Sequence, residues 1–476
     1  MKLAGRAAGI GLVIGCLLQM LWGCAGFDPQ PIAPADNAVG LQARSLDDAP
    51  VRAFVTDNLQ ADMGQAASFS WGLDALTLAA FYFHPELDVA RAQWAVAEAA
   101  RITAGERPAL AAGVAAADNT TTTTPSPRIV TTSVDLTLET AGKREYRIAQ
   151  AAQRSEAARL NIASVAWQVR SRVRSSLLDL HGALESDRLL RQQQSLHAEN
   201  VRILEGQYQA GAISAFELTQ ARLAADSARL ALRDAERRTL EARARLADAI
   251  GVAVDALDGV EFSFEGFDEL PTGLDAVGAR QQALLNRSDI LSALAEYAAS
   301  QSMLQLQIAR QYPDIHLGPG YEYDQGDDKW SLGLGVTLPA NRNRGAIAEA
   351  RARREEAAAR FNALQAKVLG QIDLAAAAYR AASRKQADAS AMLADLTRQE
   401  GVAQAMLEAG AISGSDLAAL RLQLSVSALA RLEALQQAQQ AVGQLEDALQ
   451  SPLGLPSAVW ESSPQASALS EGNGSP

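Results

Sequence analysis

Few residues of this chain have the type and spacing that chemistry requires. The four histidines, His84, His181, His197 and His316, lie far from one another and from the two cysteines, Cys16 and Cys24, so no metal-ligand or thiol-redox spacing is present. Ser214 and Ser413 each have an acid three residues on, Glu217 and Asp416. A serine nucleophile needs a base at its hydroxyl, and no histidine keeps a fixed relation to either serine. The same three-residue spacing is what a helix N-cap and its reciprocal carboxylate use. Gly-rich phosphate loops are absent, and the paired carboxylates fall on helix faces that read as solvated. No catalytic site, cofactor or resident metal is expected.

One residue invites covalent chemistry of another kind. Lys2 and Arg6 precede an apolar run from Ala7 to Gly23, too short and Gly-rich for a comfortable membrane span and suited to a removable leader. The run ends in Leu21-Trp22-Gly23-Cys24, which resembles the bacterial lipobox. That resemblance implies a lipoprotein signal peptide over residues 1–23 and a lipid on Cys24. An ordinary signal peptide or a membrane anchor is the alternative. Ala25 follows the cysteine where an aspartate would retain a bacterial lipoprotein at the inner membrane, which favours the outer one.

The elements that must position anything else are long and helical. Of 476 residues, 48% are hydrophobic but only 5% aromatic, a balance that suits extended helices better than a compact enzyme core. The formal charge of −12 argues against a nucleic-acid footprint. From about Arg144 to Gln209, and again from Arg344 to Glu408, there is no proline. Each stretch would reach roughly 100 Å as helix, beyond the diameter of an ordinary domain. Leu218, Ala221, Ala225, Ala228, Leu232, Ala235, Thr239, Ala242, Leu246 and Ala249 alternate spacings of three and four, a coiled-coil seam with small residues for close approach. Leu435, Ala438, Val442, Leu445 and Leu449 repeat the rhythm.

The chain repeats itself. Ala210-Gly-Ala-Ile-Ser-Ala-Phe-Glu-Leu218 and Ala409-Gly-Ala-Ile-Ser-Gly-Ser-Asp-Leu417 align at an offset of 199, and Leu246, Asp248 and Ala249 match Leu445, Asp447 and Ala448. Self-similarity at this period signals an internal duplication. After a lipid-anchored irregular segment (24–70), the expected first repeat covers 74–251: a helix from about Asp74 to Glu106, strands 109–116 and 129–138, and a helical hairpin 144–251 with its tip near 211–214. A linker, 252–273, leads to the second repeat, 279–450: a helix from about Ala279 to Arg310, strands 314–323 and 330–338, and a hairpin 344–450 with its tip near 410–413. A tail, 451–476, closes the chain. At each tip Gly211 or Gly410 suits a left-handed C-cap, and Ser214 or Ser413 the next N-cap.

The strands alternate. Trp330, Leu332, Leu334, Val336 and Leu338 share one face, with Ser331, Gly333, Gly335 and Thr337 on the other. Nine or ten residues, roughly, is the length of a tilted transmembrane strand. Ile315, Leu317, Tyr321 and Tyr323 give a similar face with tyrosines for an aromatic girdle. A pair of surface hairpins on a helical body is the rival reading. If the strands span a membrane, four of them cannot close a barrel, and several chains must pool theirs.

The His84-Pro85-Glu86-Leu87 run, the paired strands and the two tips (Tyr208 to Leu218, Leu407 to Leu417) resemble the TolC-type outer-membrane efflux family over nearly the whole mature chain. Glu139-Thr-Ala-Gly142-Lys143-Arg144 and Pro339-Ala-Asn341-Arg342-Asn343-Arg344-Gly345 are most similar to its cobalt–zinc–cadmium subgroup. The resemblance implies a homotrimer in which a 12-stranded β-barrel in outer-membrane lipid continues as a long periplasmic α-helical barrel. It implies a passive duct for substrate exported by an inner-membrane resistance-nodulation-division pump through a periplasmic membrane-fusion adaptor, with heavy-metal cations as one cargo. Carried over, Gly211, Ser214, Gly410 and Ser413 face the adaptor, and Glu217 and Asp416 lie at the periplasmic aperture. A multidrug duct, a type I secretion duct served by an ABC transporter, and a lipid-anchored coiled-coil scaffold stay open as alternatives.

Overall fold

Alanine, leucine, glutamate, arginine and glutamine, the residues that lose least on entering a helix, dominate the longest elements of the chain. The computed structural model describes residues 26–59, 70–121, 127–271, 276–338 and 340–453. Cys24, the expected lipidation site, lies outside them, as does the leader. Residues up to Arg44 form a unit of their own, in which helix α1 (Pro34–Gln42) buries none of its residues. From Ser45 onward the chain is a second unit. It opens with α2 (Ala49–Leu59), α3 (Leu73–Phe83) and α4 (Pro85–Gly105). Strands β1 (Ala111–Asp118) and β2 (Arg128–Leu138) follow, then α5 (Lys143–Gln209) and α6 (Ala215–Ile250). The plan then recurs as α7 (Ala276–Asn286), α8 (Ser288–Ala309), β3 (Ile315–Asp324), β4 (Asp327–Val336), α9 (Arg344–Glu408) and α10 (Gly414–Leu449).

Several expectations are corrected. The helix expected over 74–106 is two helices, because Pro85 takes the first turn of α4 and His84, extended at ψ 120°, caps it by accepting the Glu86 N–H at 3.3 Å. The helix expected over 279–310 is likewise broken, at extended Arg287. The loop expected at Asp324 to Lys329 shrinks to Gln325 and Gly326, both with positive φ (53° and 118°), as a tight two-residue hairpin turn requires. Strand β4 therefore starts at Asp327 and ends at Val336, whose partner Ile315 lies two residues past Pro313, a residue with no N–H to extend a ladder. Leu338 lies past the strand, and β1 runs two residues later than expected.

The four strands form one antiparallel sheet in the order β1-β2-β3-β4. Its central pair, β2 with β3, joins the two repeats. The largest core gathers Leu76, Phe83, Leu87, Val169, Val173, Leu177, Leu246 and Ile250 where α3 and α4 meet α5 and α6, with Val51 and Val55 of α2 joining them. A smaller one holds Ile290, Val368, Ile372, Leu445 and Leu449 of the second repeat. Among the described residues no helix is long and apolar enough to cross a membrane.

Candidate functional sites: sheet face, hairpin tips and the seam between repeats

Strand register decides what the sheet can touch. Pairing sets Leu136 against Leu317 and Leu138 against Ile315, and places Leu334 beside Leu317, Leu332 beside Pro319 and Trp330 beside Tyr321. On β1, Val114 pairs with Thr132 and Ala116 with Val130. Because side chains alternate, these pairs occupy one face, and the apolar rows of all four strands coincide on it. The face is open in the single chain: Trp330 is 83% exposed and Leu334 70%. Leu332, Val336 and Leu338 are exposed as well. The opposite face is polar and small, with Ser133, Asp135, Thr137, His316, Gly318, Glu322, Ser331, Gly333 and Gly335. There His316 Nδ1 lies 3.2 Å from Thr137 Oγ1 and 3.3 Å from Asp135 Oδ1.

Where the sheet meets the helices, Lys143 is buried and binds the Tyr312 carbonyl at 2.8 Å and Asp314 Oδ1 at 2.7 Å. Ala141 and Gly142 are both left-handed just before α5, and Arg342 and Asn343 are left-handed before α9. The strand-to-helix corner is thus built the same way twice.

The two hairpin tips are near copies. At the first, Gly211 (φ 73°) donates its N–H to the Tyr208 carbonyl at 2.9 Å and Ala212 to that of Gln207 at 2.8 Å. At the second, Gly410 (φ 72°) donates to Leu407 at 2.9 Å and Ala411 to Met406 at 2.8 Å. Both are Schellman closures, which consume the last carbonyls of the incoming helix. Ser214 Oγ then accepts the Glu217 N–H at 3.3 Å while Glu217 Oε2 accepts the Ser214 N–H at 2.8 Å. Ser413 and Asp416 make the same reciprocal pair at 3.3 and 3.0 Å. Bonding by the Ser413 hydroxyl and backbone N–H holds the Asp416 carboxyl below its ordinary value. A Cβ added at Gly211 or Gly410 meets nothing within 4 Å, so only the backbone angle demands glycine within one chain. The candidate aperture acids are therefore spent in part on capping, and the tips are exposed.

The third site was not legible in the sequence. Partway along α5 of the first repeat and at the C-terminal end of α10 of the second, the two helices meet through buried charge. Glu446 Oε2 lies 3.0 Å from Arg170 Nη1 and 3.2 Å from Arg174 Nε, all with side chains no more than 8% exposed. Burial lowers the pKa of Arg174, and Glu446 opposes it. Arg174 also donates to the Gln439 carbonyl and side chain at 3.0 and 3.1 Å. The Gln439 amide in turn reaches the Gly266, Phe267 and Glu269 carbonyls of the inter-repeat linker. Asp447 accepts from Trp167 Nε1 at 2.9 Å and Ser171 Oγ at 2.7 Å. Two glycines make room: Gln436 lies where a Gly182 side chain would be, and Arg174 where one on Gly443 would be. Charges at helical spacing normally read as a wet surface, and here only the partner helix makes them core.

An apolar-faced four-stranded sheet with two open edges, continued by helices too long for a globule, is the fold of the chain from Ser45 onward. Solved structures agree: over 80% of this chain and 96% of its own, the outer membrane protein VceC from Vibrio cholerae superposes with a TM-score of 0.65 at 19% identity. The family model described as "Outer membrane efflux protein" matches residues 84–252 of this chain. It is 27% identical over 229 residues to the cobalt-zinc-cadmium resistance protein CzcC of Cupriavidus metallidurans, covering 46% of this chain and 52% of CzcC. It is 29% identical over 176 residues to the pyoverdine export outer membrane protein OpmQ of Pseudomonas aeruginosa, covering 37% of this chain and 36% of OpmQ. The chain thus matches about half the length of the first of these relatives, and less of the second.

Proposed function

We propose that this chain is the outer-membrane duct of a tripartite efflux system and works as a homotrimer. The observation that carries the reading is the register-aligned apolar face of a sheet with two open edges. Open edges are not tolerated in hydrocarbon, so three such sheets must close on one another, giving twelve strands. Trp330, Leu332, Leu334, Val336 and, just beyond the strand, Leu338 then touch lipid, and the polar face lines the lumen. The helices carry the conduit into the periplasm. Gly211, Ser214, Gly410 and Ser413 form its docking end for an adaptor, with Glu217 and Asp416 near the aperture. A duct of this kind catalyses nothing; it conducts because it is open and binds weakly.

Divalent heavy-metal cations are the cargo supported by the similarity to CzcC. Export of a compound such as pyoverdine is the second reading, supported by the similarity to OpmQ, named as a pyoverdine export protein. The deciding experiment expresses the chain, with its neighbouring pump and adaptor genes, in cells lacking their own outer-membrane ducts. Zinc, cobalt and cadmium tolerance should rise, and purified trimers should conduct ions in planar bilayers. Absence of both conductance and any export phenotype would leave a coiled-coil scaffold instead.

Cys24 is proposed as the lipid-bearing first residue of the mature chain. Cys24→Ala should abolish palmitate labelling while trimers still form, since the barrel anchors itself; labelling that persists would refute the assignment.

A further inference from the structure

Most charges at the end of the sheet nearest the helices are already matched. A pocket of about 490 Å³ opens there, and of the acids lining it Asp314 holds Lys143 and Glu139 holds Arg147. Arg310, which also lines it, bonds the Gln307 side chain. His316 lines the same pocket, and beside it on the polar face of the sheet stands an acid of another kind. Among the described residues the ion-pair contact of Asp135 is with His316, not with a lysine or arginine. The lysine of that strand face, Lys329, sits at the opposite end and is held by Asp324 and Glu322.

Strand pairing sets His316 against Thr137, and Asp135 lies two residues back on the same face. Three donor atoms therefore converge. His316 Nδ1 is 3.2 Å from Thr137 Oγ1 and 3.3 Å from Asp135 Oδ1, and the two oxygens are 3.5 Å apart. Ligand atoms at about 2.0–2.1 Å from a tetrahedral ion stand about 3.3–3.4 Å from one another, so this triangle has the size of one tetrahedral face. The space around it is open. Gly335 is the cross-strand neighbour of His316, and a Cβ there would stand 3.4 Å from the His316 Cβ. Gly318 is next along β3, and the side chains of Asp135 and His316 are 53% and 33% exposed. Imidazole beside carboxylate suits zinc and similar transition-metal dications, whereas magnesium and calcium favour oxygen alone.

We propose that Asp135 and His316, with the Thr137 hydroxyl as a weak third donor, form a cargo site for a zinc-like divalent cation on the polar face of the sheet. The site needs only one chain, but its place in a lumen rests on the proposed duct. There it stands at the periplasmic entry of the barrel, once per chain, ahead of a wall of small residues (Ser133, Gly318, Ser331 and Gly333). A resident structural zinc has four protein ligands, and a site with two good ones lets its ion go. That is what a conduit requires, binding strong enough to draw an ion in and weak enough to release it.

Zinc alone, in equilibrium dialysis against the purified full-length protein, tests the site. The wild type should bind one zinc per chain that His316→Ala lacks, with cobalt competing and a large excess of magnesium leaving it in place. Asp135→Asn should weaken the same binding at least about tenfold. Should His316→Ala fail to assemble, His316→Gln keeps a polar side chain of similar reach without the imidazole. A second arm is electrical. In planar bilayers zinc should block part of the wild-type potassium current, and the zinc concentration for half block should rise at least about tenfold in His316→Ala. No zinc bound by the wild type, binding unchanged by both substitutions, or equal displacement by magnesium would each overturn the proposal and leave a hydrogen-bonded cluster only. Zinc binding that depends on His316 in a protein that carries no current would keep the site and strike the duct reading instead.

Discussion

The α5–α10 seam and the hairpin tips are made from the same repeated sequence but solve opposite problems. At the seam, Arg170, Arg174 and Glu446 are buried, and their charges are paired across the two repeats. At the tips, Ser214 with Glu217 and Ser413 with Asp416 satisfy themselves within four residues and stay exposed. A self-contained tip can meet a partner without unfolding anything, and a cross-repeat seam cannot be altered without touching the fold. The repeats also differ from each other. The first is backed by a core that draws in α2 and α3, and the second by a smaller one around Ile290, Val368 and Leu445.

The seam should break first. Glu446→Ala leaves two buried guanidinium groups without their acid and should cost about 3–5 kcal/mol, read as a lower thermal midpoint of the purified trimer. If the loss is no greater than for an exposed pair such as Arg353 with Glu349, the seam is not what holds the repeats together.

The sheet comes next. Leu334→Arg sets a charge on the apolar face and should destabilise by about 2–4 kcal/mol near the bilayer midplane, seen as lost trimer in heat-modifiability gels. Ser331→Arg, on the other face, should assemble normally and narrow the conductance. Equal behaviour of the two would mean that neither face touches lipid.

Tip substitutions should spare assembly. Gly410→Ala forces a side chain into a left-handed angle at a cost of roughly 1–2 kcal/mol, confined to the last turn of α9. Gly410→Trp should abolish export while trimer yield stays normal, because nothing within the chain occupies that space. Retained export would remove the second tip from the docking surface.

The smallest effect is one of pH. Hydrogen bonds hold the Asp416 carboxyl below its ordinary value in the folded chain, so its cap contributes fully above the unfolded aspartate value. That contribution should fade as pH falls through the lower, folded value. Hydrogen exchange at the start of α10 should speed up in that acid range, and Asp416→Asn should remove the dependence.

Local rules carried the reading of the sequence wherever structure is local. The two caps, the left-handed glycines and the period of the strands follow from residues within a few positions of one another, which is why Ser214, Gly410 and the Trp330 face could be named from composition and spacing. Proline and backbone geometry at His84-Pro85 and Gln325-Gly326 were also local, but a helix pattern running through one and a polar stretch around the other concealed them. What only tertiary structure decided was pairing. Register brought the apolar rows of β1, β2, β3 and β4 onto one face, and the approach of α10 to α5 turned Arg170, Arg174 and Glu446 from a solvated stripe into core. Burial is a property of the partner surface, and a partner some 270 residues away leaves no mark on the sequence beside the residue it buries.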